Sequence, residues 1–188
     1  MNLIVETNTP RTKLQLKPAS PPTDVLSYAV AACDFGKVLV ARSASGVCAI
    51  LLGDETEELT VDLAIRFPQS RLVASEKAVK DDVAKVLQYI EKPSGGLHLK
   101  LDLRGTPFQR RVWEKLKTIP VGRTASYREL ASWLSPLASP RAVGSACAAN
   151  PIALAIPCHR VVRGTGELAG YRWGIERKRA LIEKEAKA

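Results

Sequence analysis

The chain has 188 residues, 46% apolar and 25% charged, the make-up of a folded protein with one large or two small domains, which excludes a disordered or fibrous chain. No run of 18 apolar residues occurs, which excludes a membrane-spanning helix. The formal charge is +9 and unevenly placed: residues 1–96 carry a net −1, and residues 97–188, with 17 basic and 7 acidic side chains, a net +10. Such an excess in one half is expected where that half meets a polyanion such as nucleic acid, although an idle basic surface would look the same.

In chain order, residues 1–24 contain Pro10, Pro18, Pro21 and Pro22 among scattered polar residues and read as a flexible arm. Three strand-like runs follow, Val25 to Cys33, Lys37 to Arg42 and Val47 to Leu52, separated by turn residues, so an antiparallel meander is expected. Leu59, Leu63 and Phe67 recur at spacings of four and predict a helix over 54–67, closed by Pro68. Val79, Val83, Val86, Leu87 and Ile90 predict a second helix over 75–90. The charge balance changes sign at Lys92-Pro93-Ser94-Gly95-Gly96, the best boundary between a domain over 25–92 and another over 97–188.

The second half reads as mostly helical. Thr106-Pro107-Phe108-Gln109 has the pattern of a capping box, opening a helix expected to reach about Ile119 and to bury Phe108, Val112, Leu116 and Ile119. Ser126-Tyr127-Arg128-Glu129 is a second capping box, opening a helix through Leu134. Ser139-Pro140 opens a third, Arg141 to Ala149, and the two short helices resemble a helix-turn-helix. Ala142, Gly144, Ser145, Ala146, Cys147, Ala148 and Ala149 leave this third helix nearly bare, suited either to tight helix packing or to close approach to DNA. Residues 175–188 form an amphipathic terminal helix.

Four cysteines (Cys33, Cys48, Cys147, Cys158) form no C-x-x-C pair and only two histidines are present, so neither a zinc site nor a disulfide framework is expected. The N-terminus lacks a basic start and a long apolar core, and a cytoplasmic location with free thiols follows as the expectation. Cys33 and Cys48 sit among apolar residues as small core hydrophobes. The chemistry concentrates in Ile156-Pro157-Cys158-His159-Arg160-Val161-Val162. A thiol attacks as its thiolate, and a nearby imidazole raises that fraction. On a regular strand His159 would face away from Cys158, so the pair needs the bend that Pro157 supplies. By themselves these residues also fit a buried thiol beside a hydrogen-bonded histidine.

Pro157-Cys158-His159-Arg160-Val161-Val162 resembles the active-site signature of the O6-alkylguanine-DNA alkyltransferases. Asn150-Pro151 before it, and Gly166 with Gly170-Tyr171-Arg172-Trp173-Gly174 after it, extend the likeness. Ser126-Tyr127 and Arg141-Ala142-Val143 keep the family's spacing of fourteen residues from Tyr to Arg. The resemblance covers residues 25 to 187 and implies a ribonuclease H-like α/β domain followed by a winged-helix-like DNA-binding domain.

It also implies roles. Cys158 accepts the alkyl group, His159 deprotonates it through a bridging water, Glu185 orients the histidine, and Asn150 braces the turn. Tyr127 hydrogen-bonds a flipped guanine, the carbonyls of Cys158 and Val161 and the backbone around Arg172 read its edges, and Tyr171 walls the pocket. Arg141 fills the gap in the duplex, with Ala142, Ser145, Arg128 and Gln109 also on the DNA side. The implied partner is double-stranded DNA carrying O6-alkylguanine, with O4-alkylthymine a candidate second substrate. A monomer able to bind DNA cooperatively and needing no cofactor is implied.

Two departures stand out. Ser135-Pro136-Leu137 replaces the usual Gly-x-Pro before the recognition helix, which predicts a reshaped turn. No zinc-bearing phosphotriester-repair module fits before residue 25, so that activity and methylation-triggered gene activation are not expected. Two competing functions are a non-catalytic binder that flags alkylated DNA and a cysteine hydrolase using Cys158 and His159. The binder sits badly with the presence of Cys158, and the hydrolase leaves Arg141 and the bare helix unexplained.

Overall fold

The computed structural model describes residues 24–134 and 138–188. Of the expected arm only Asp24 falls within them, and the Ser135-Pro136-Leu137 turn lies outside them. The meander forms as expected, from β1 (Asp24–Cys33), β2 (Gly36–Arg42) and β3 (Val47–Gly53). Val38 to Ala41 and Val47 to Leu52 are buried at consecutive positions, so both faces of these strands are covered, which is why they read as continuous apolar runs. Cys48 lies in this core, while Cys33 is half-buried.

Helices α1 (Thr56–Arg66) and α2 (Glu76–Glu91) occupy the two periodic segments. Between them runs a strand that the sequence pattern does not announce, β4 (Ser70–Ala74), parallel to β1 at the sheet edge in the order β3-β2-β1-β4. On α2 the expected stripe is buried at Val79, Val86 and Ile90, but Asp82 and Tyr89 are buried with it. Asp82 is paired with Arg42 at 2.8 Å.

The opposite edge of the sheet carries the second half of the chain. Val47 exchanges backbone hydrogen bonds with Lys100 and Asp102, and Ile50 with Pro151 and Ala153. An edge that would otherwise expose unpaired backbone groups is thereby closed by the segments leading to and from the helical part. Helix α3 (Pro107–Leu116) opens with the full Thr106–Gln109 capping box. It ends three residues before the expected Ile119, because Thr118 and Ile119 bond back to Lys115 and Leu116 in a tighter turn. Ile119 is buried all the same. Ser126 and Glu129 cap α4 (Tyr127–Leu134) reciprocally, and Ser139 caps α5 (Pro140–Ala148). Trp113 of α3 is buried and donates its indole N–H to the Ala146 carbonyl of α5 at 2.9 Å. A two-strand parallel pair, β5 (Ala125–Ser126) with β6 (Val161–Val162), and the terminal helix α6 (Ile175–Ala186) complete the fold. No described helix is long and apolar enough to cross a membrane.

Gly46 makes the β2–β3 turn possible. Its φ is +152°, and a Cβ there would lie 2.5 Å from the Lys100 carbonyl oxygen. Gly46→Ala should therefore cost about 2–4 kcal/mol through backbone strain and overpacking. It should appear as a lower urea midpoint; an unchanged midpoint would mean that the 100–102 segment yields freely.

Candidate active site

Asn150, at the end of α5, is fully buried and organises the turn that leads to the cysteine. Its Nδ2 donates to the carbonyls of Ile152 (3.3 Å) and Ile156 (2.9 Å) and approaches Cys158 Sγ at 3.3 Å, while its Oδ1 accepts from Ile152 N–H at 2.9 Å. Inside this turn Leu154 adopts φ +68°, a left-handed conformation that a side chain tolerates only where its surroundings enforce it. The chain then enters a single 3-10 turn, Cys158–Arg160. The expected bend after Pro157 is present, and Cys158 and His159 are not on opposite faces of a strand. Cys158 is 5% exposed. Burial pushes its thiol up to about 11, partly countered by the Asn150 hydrogen bond and the charge of Lys178. At neutral pH the resting sulfur is therefore protonated and needs a base.

His159 is fully buried, and its Nε2 lies 2.8 Å from Glu185 Oε1. Burial holds the imidazole below the usual histidine range, the pull of Glu185 upward being the smaller effect. Burial alone would raise the Glu185 carboxyl, but the hydrogen bonds from His159 and Arg160, with the Arg160 charge, outweigh it and hold it well below the usual carboxylate range. An ionised carboxylate only accepts, so Nε2 carries the proton and Nδ1 presents a lone pair. Nδ1 is buried with no hydrogen-bond partner among the described residues. Arg160 grips the same carboxylate side-on, Nε to Oε2 at 2.8 Å and Nη2 to Oε1 at 2.9 Å, and its Nη1 donates to the Ile119 carbonyl. Tyr89 of α2 donates to Oε1 at 2.7 Å and accepts from Arg160 Nη2 at 2.9 Å.

Lys178 of α6, also fully buried, donates from Nζ to the Val161 carbonyl at 2.5 Å and approaches that of Ala169 at 3.4 Å. Val161 N–H in turn donates to the Cys158 carbonyl. Both carbonyls that the resemblance assigns to base reading thus accept one hydrogen bond already and retain a second lone pair. Tyr127 is half-buried, its phenol pushed up to about 12 by burial and then by the nearby Cys147 and Cys158 sulfurs, so it is a hydrogen-bond donor at any physiological pH. It lines a cleft of 840 Å³ with Arg128, Pro140 and the 162–166 segment. Cys158 is not part of that lining. Tyr171 stands edge-on to His159 (6.4 Å between ring centres) and to Trp173 (5.2 Å). The Tyr171 hydroxyl and Trp173 Nε1 are buried without partners among the described residues. The Arg172 side chain is turned away to Asp62 of α1 at 2.6 Å, so its expected contribution rests on its backbone.

On the outer face, Arg141 and Ser145 of α5 are exposed and Ala142 is half-buried. Val143, Ala146 and Cys147 form the buried side of that helix. The bare helix is therefore packed on one face and open on the other. Arg128 is exposed beside the cleft, whereas the Gln109 amide oxygen is engaged in its capping box with Thr106 N–H at 2.9 Å. Sequence reasoning missed Tyr89 and Lys178. Both sit on amphipathic helices where a tyrosine or lysine reads as part of the solvated rim.

Glu185→Gln keeps the shape and leaves the buried Arg160 charge unpaired, at a cost of about 3–5 kcal/mol. Because the folded carboxyl is more acidic than its usual value of 4.5, its stabilisation is complete above that pH and is lost as pH falls through the folded value. Urea titrations at pH 7 and pH 3 should show the gap between wild type and variant narrowing in acid. A constant gap would mean that the ionised form contributes nothing.

Residues 107–187 match the family described as 6-O-methylguanine DNA methyltransferase, DNA binding domain. The chain is 47% identical over 159 residues to the bifunctional transcriptional activator/DNA repair enzyme Ada of Escherichia coli, covering 85% of this chain and 45% of that protein. It is 38% identical over 170 residues to a methylated-DNA–protein-cysteine methyltransferase of Candida albicans, covering 85% of this chain and 96% of that one. A crystal structure of Mycobacterium tuberculosis OGT in complex with DNA superposes with a TM-score of 0.67 at 34% identity, covering 87% and 93% of the two chains. The chain spans about half the length of the curated relatives that it matches first. A likeness that extends over nearly the whole of the Candida protein, and over a solved structure of the same fold, leaves one assignment: the chain belongs to the methylated-DNA–protein-cysteine methyltransferase family.

Proposed function

We propose that the protein repairs DNA by moving the alkyl group from O6 of guanine onto its own Cys158, once per molecule. The observation that carries this reading is the buried Cys158–His159–Glu185 constellation, in which the carboxylate fixes the imidazole tautomer and leaves Nδ1 free as a base. Its thiol is protonated at rest, so it does not react indiscriminately, and it loses its proton toward His159 Nδ1 through a water as the alkyl carbon arrives. The S–C bond forms as the C–O6 bond breaks, and the electron pair leaves on the guanine, where the Tyr127 hydroxyl meets the growing negative charge. The product is a thioether that water does not reverse, so no second turnover follows.

An O6 substituent is inaccessible within the stack, so the nucleotide must be flipped, at a cost of a few kcal/mol that is least for a poorly pairing base. Arg141 at the open end of α5 fills the gap, and the small exposed face of α5 lets the helix lie close in the minor groove. Arg110, Arg123, Arg128 and Arg141 form no ion pair among the described residues, and all four fall in the stretch carrying α3, α4 and α5. The partner is thus duplex DNA bearing O6-alkylguanine, bound by a monomer in a reducing cytoplasm. The sheet with α1 and α2 supports a ribonuclease H-like reading of the first part, and α3 to α5 with the β5–β6 pair a winged-helix-like reading of the second.

Incubation with a duplex carrying methyl-labelled O6-methylguanine should place one label per protein on Cys158, and none in Cys158→Ala. Label released as methanol would indicate a hydrolase, and label bound but left on DNA would indicate a non-catalytic binder; either overturns the proposal. Arg141→Ala should slow repair in duplex about tenfold or more while leaving reaction with free O6-benzylguanine within about twofold, since only the duplex demands flipping. Equal slowing would make the arginine structural.

A further inference from the structure

We propose that Tyr89 is a positioning residue of the alkyl-transfer site, its hydroxyl holding the Glu185 carboxylate on His159 and tempering how strongly that carboxylate supports a protonated imidazole. The proposal rests on the alkyl-transfer reading for its kinetic consequence, though not for its structural one. Tyr89 comes from α2, outside residues 107–187 that match the DNA-binding domain of the family. It is 3% exposed and lies 96 residues from Glu185 in the chain.

Its hydroxyl closes a three-membered polar ring, donating to Glu185 Oε1 while accepting from Arg160 Nη2, which itself donates to Oε1. Oε1 is also the oxygen that takes the His159 Nε2 proton. Three donors therefore share one carboxylate oxygen. Arg160 alone, gripping both oxygens, would already fix the plane of the carboxylate. What Tyr89 adds is a neutral donor that withdraws charge from the oxygen facing the histidine, and an acceptor that keeps Nη2 from moving wholly onto it. The groups bearing on His159 are Glu185 and Lys178 of α6, Arg160 and Cys158 of its own turn, Tyr171 of the following loop and, through Glu185, Tyr89 of α2. Glu185 alone among these stabilises the imidazolium by direct contact, so the charge density at Oε1 opposes the effect of burial and shifts the proton affinity of Nδ1. A free base requires that affinity to stay low enough for His159 to be neutral at working pH.

Removing the hydroxyl leaves Oε1 more negative and the imidazolium better supported. Tyr89→Phe should therefore raise the His159 titration midpoint by about one pH unit, as read by NMR of the labelled imidazole. In single-turnover transfer from an O6-methylguanine duplex, the acid limb should move up by the same amount. Transfer should slow about tenfold below both midpoints and match wild type within about twofold above pH 8. Placing 3-fluorotyrosine at position 89 keeps the ring and makes the hydroxyl a stronger donor, so both midpoints should move down. An unchanged His159 midpoint with either replacement overturns the proposal, as does a slowing by Tyr89→Phe that is the same at every pH. If wild type transfers no alkyl group, the functional reading has failed, while the NMR titration still decides the role of Tyr89.

Discussion

A carboxylate withdrawn from water is tolerable only where its lone pairs are claimed and its charge is met, and Glu185 fulfils both conditions with groups from separate stretches of chain. Arg160 and His159 come from the turn after Pro157, and Tyr89 comes from α2 on the sheet side of the molecule. None of these partners is a sequence neighbour, and the Tyr89 contacts exist only when the two halves are docked. The network fixes the ring of His159 and leaves one nitrogen bare. The ionised carboxylate, the fixed tautomer and the site's acid–base capacity are thus consequences of one constraint.

The docking itself is held by the free edge of β3 and by α6. Backbone pairing at Val47 and Ile50 joins the sheet to the segments before α3 and after Asn150, so the turn that aims Cys158 is an extension of the sheet edge. Helix α6 reaches the other way. Arg177 donates to the Phe35 carbonyl and to Asp54, and Lys184 to Asp34, while Lys178 and Glu185 point inward to the site. One helix therefore reads the position of the sheet on one face and sets the site on the other. Strain at Leu154 is sustained because Asn150 on one side and the β3 edge on the other leave that residue no alternative.

Local signals carried far in this chain. The meander, α1, α2 and the three capped helices are written in turn residues, in period and in capping side chains, all of which act within a few positions. β4 was illegible because only Leu72 and Val73 mark it, and a parallel edge strand is specified by its partner β1 rather than by its own pattern. The site divides in the same way. Cys158, His159 and Asn150 lie within ten residues and form a recognisable motif. Tyr89 and Asp82 have partners 96 and 40 residues away, and nothing local distinguishes them from rim residues of an amphipathic helix. Lys178 is the same case: a cation in a charge-rich helix reads as solvated until Val161 is found beneath it.

The basic excess of the second half separates into two populations with different physics. Arg104, Arg160, Arg172, Arg177, Lys178 and Lys184 are bound to carboxylates or carbonyls. Where these contacts are buried they are shielded from salt, and several of them tie the second half to the first. Arg110, Arg123, Arg128 and Arg141, on or beside α3 to α5, hold no such partner among the described residues, and their charges project into solvent, where they act over roughly a Debye length of 8–10 Å. The near-neutral first half supplies the acids Asp24, Asp34, Asp54 and Asp62 that neutralise the first population. These four acids are engaged between the halves, and the exposed arginines without a described partner fall in the stretch that carries α3 to α5. A polyanion approaching α3 to α5 therefore meets exposed arginines that no described carboxylate neutralises, while Asp24, Asp34, Asp54 and Asp62 are already paired.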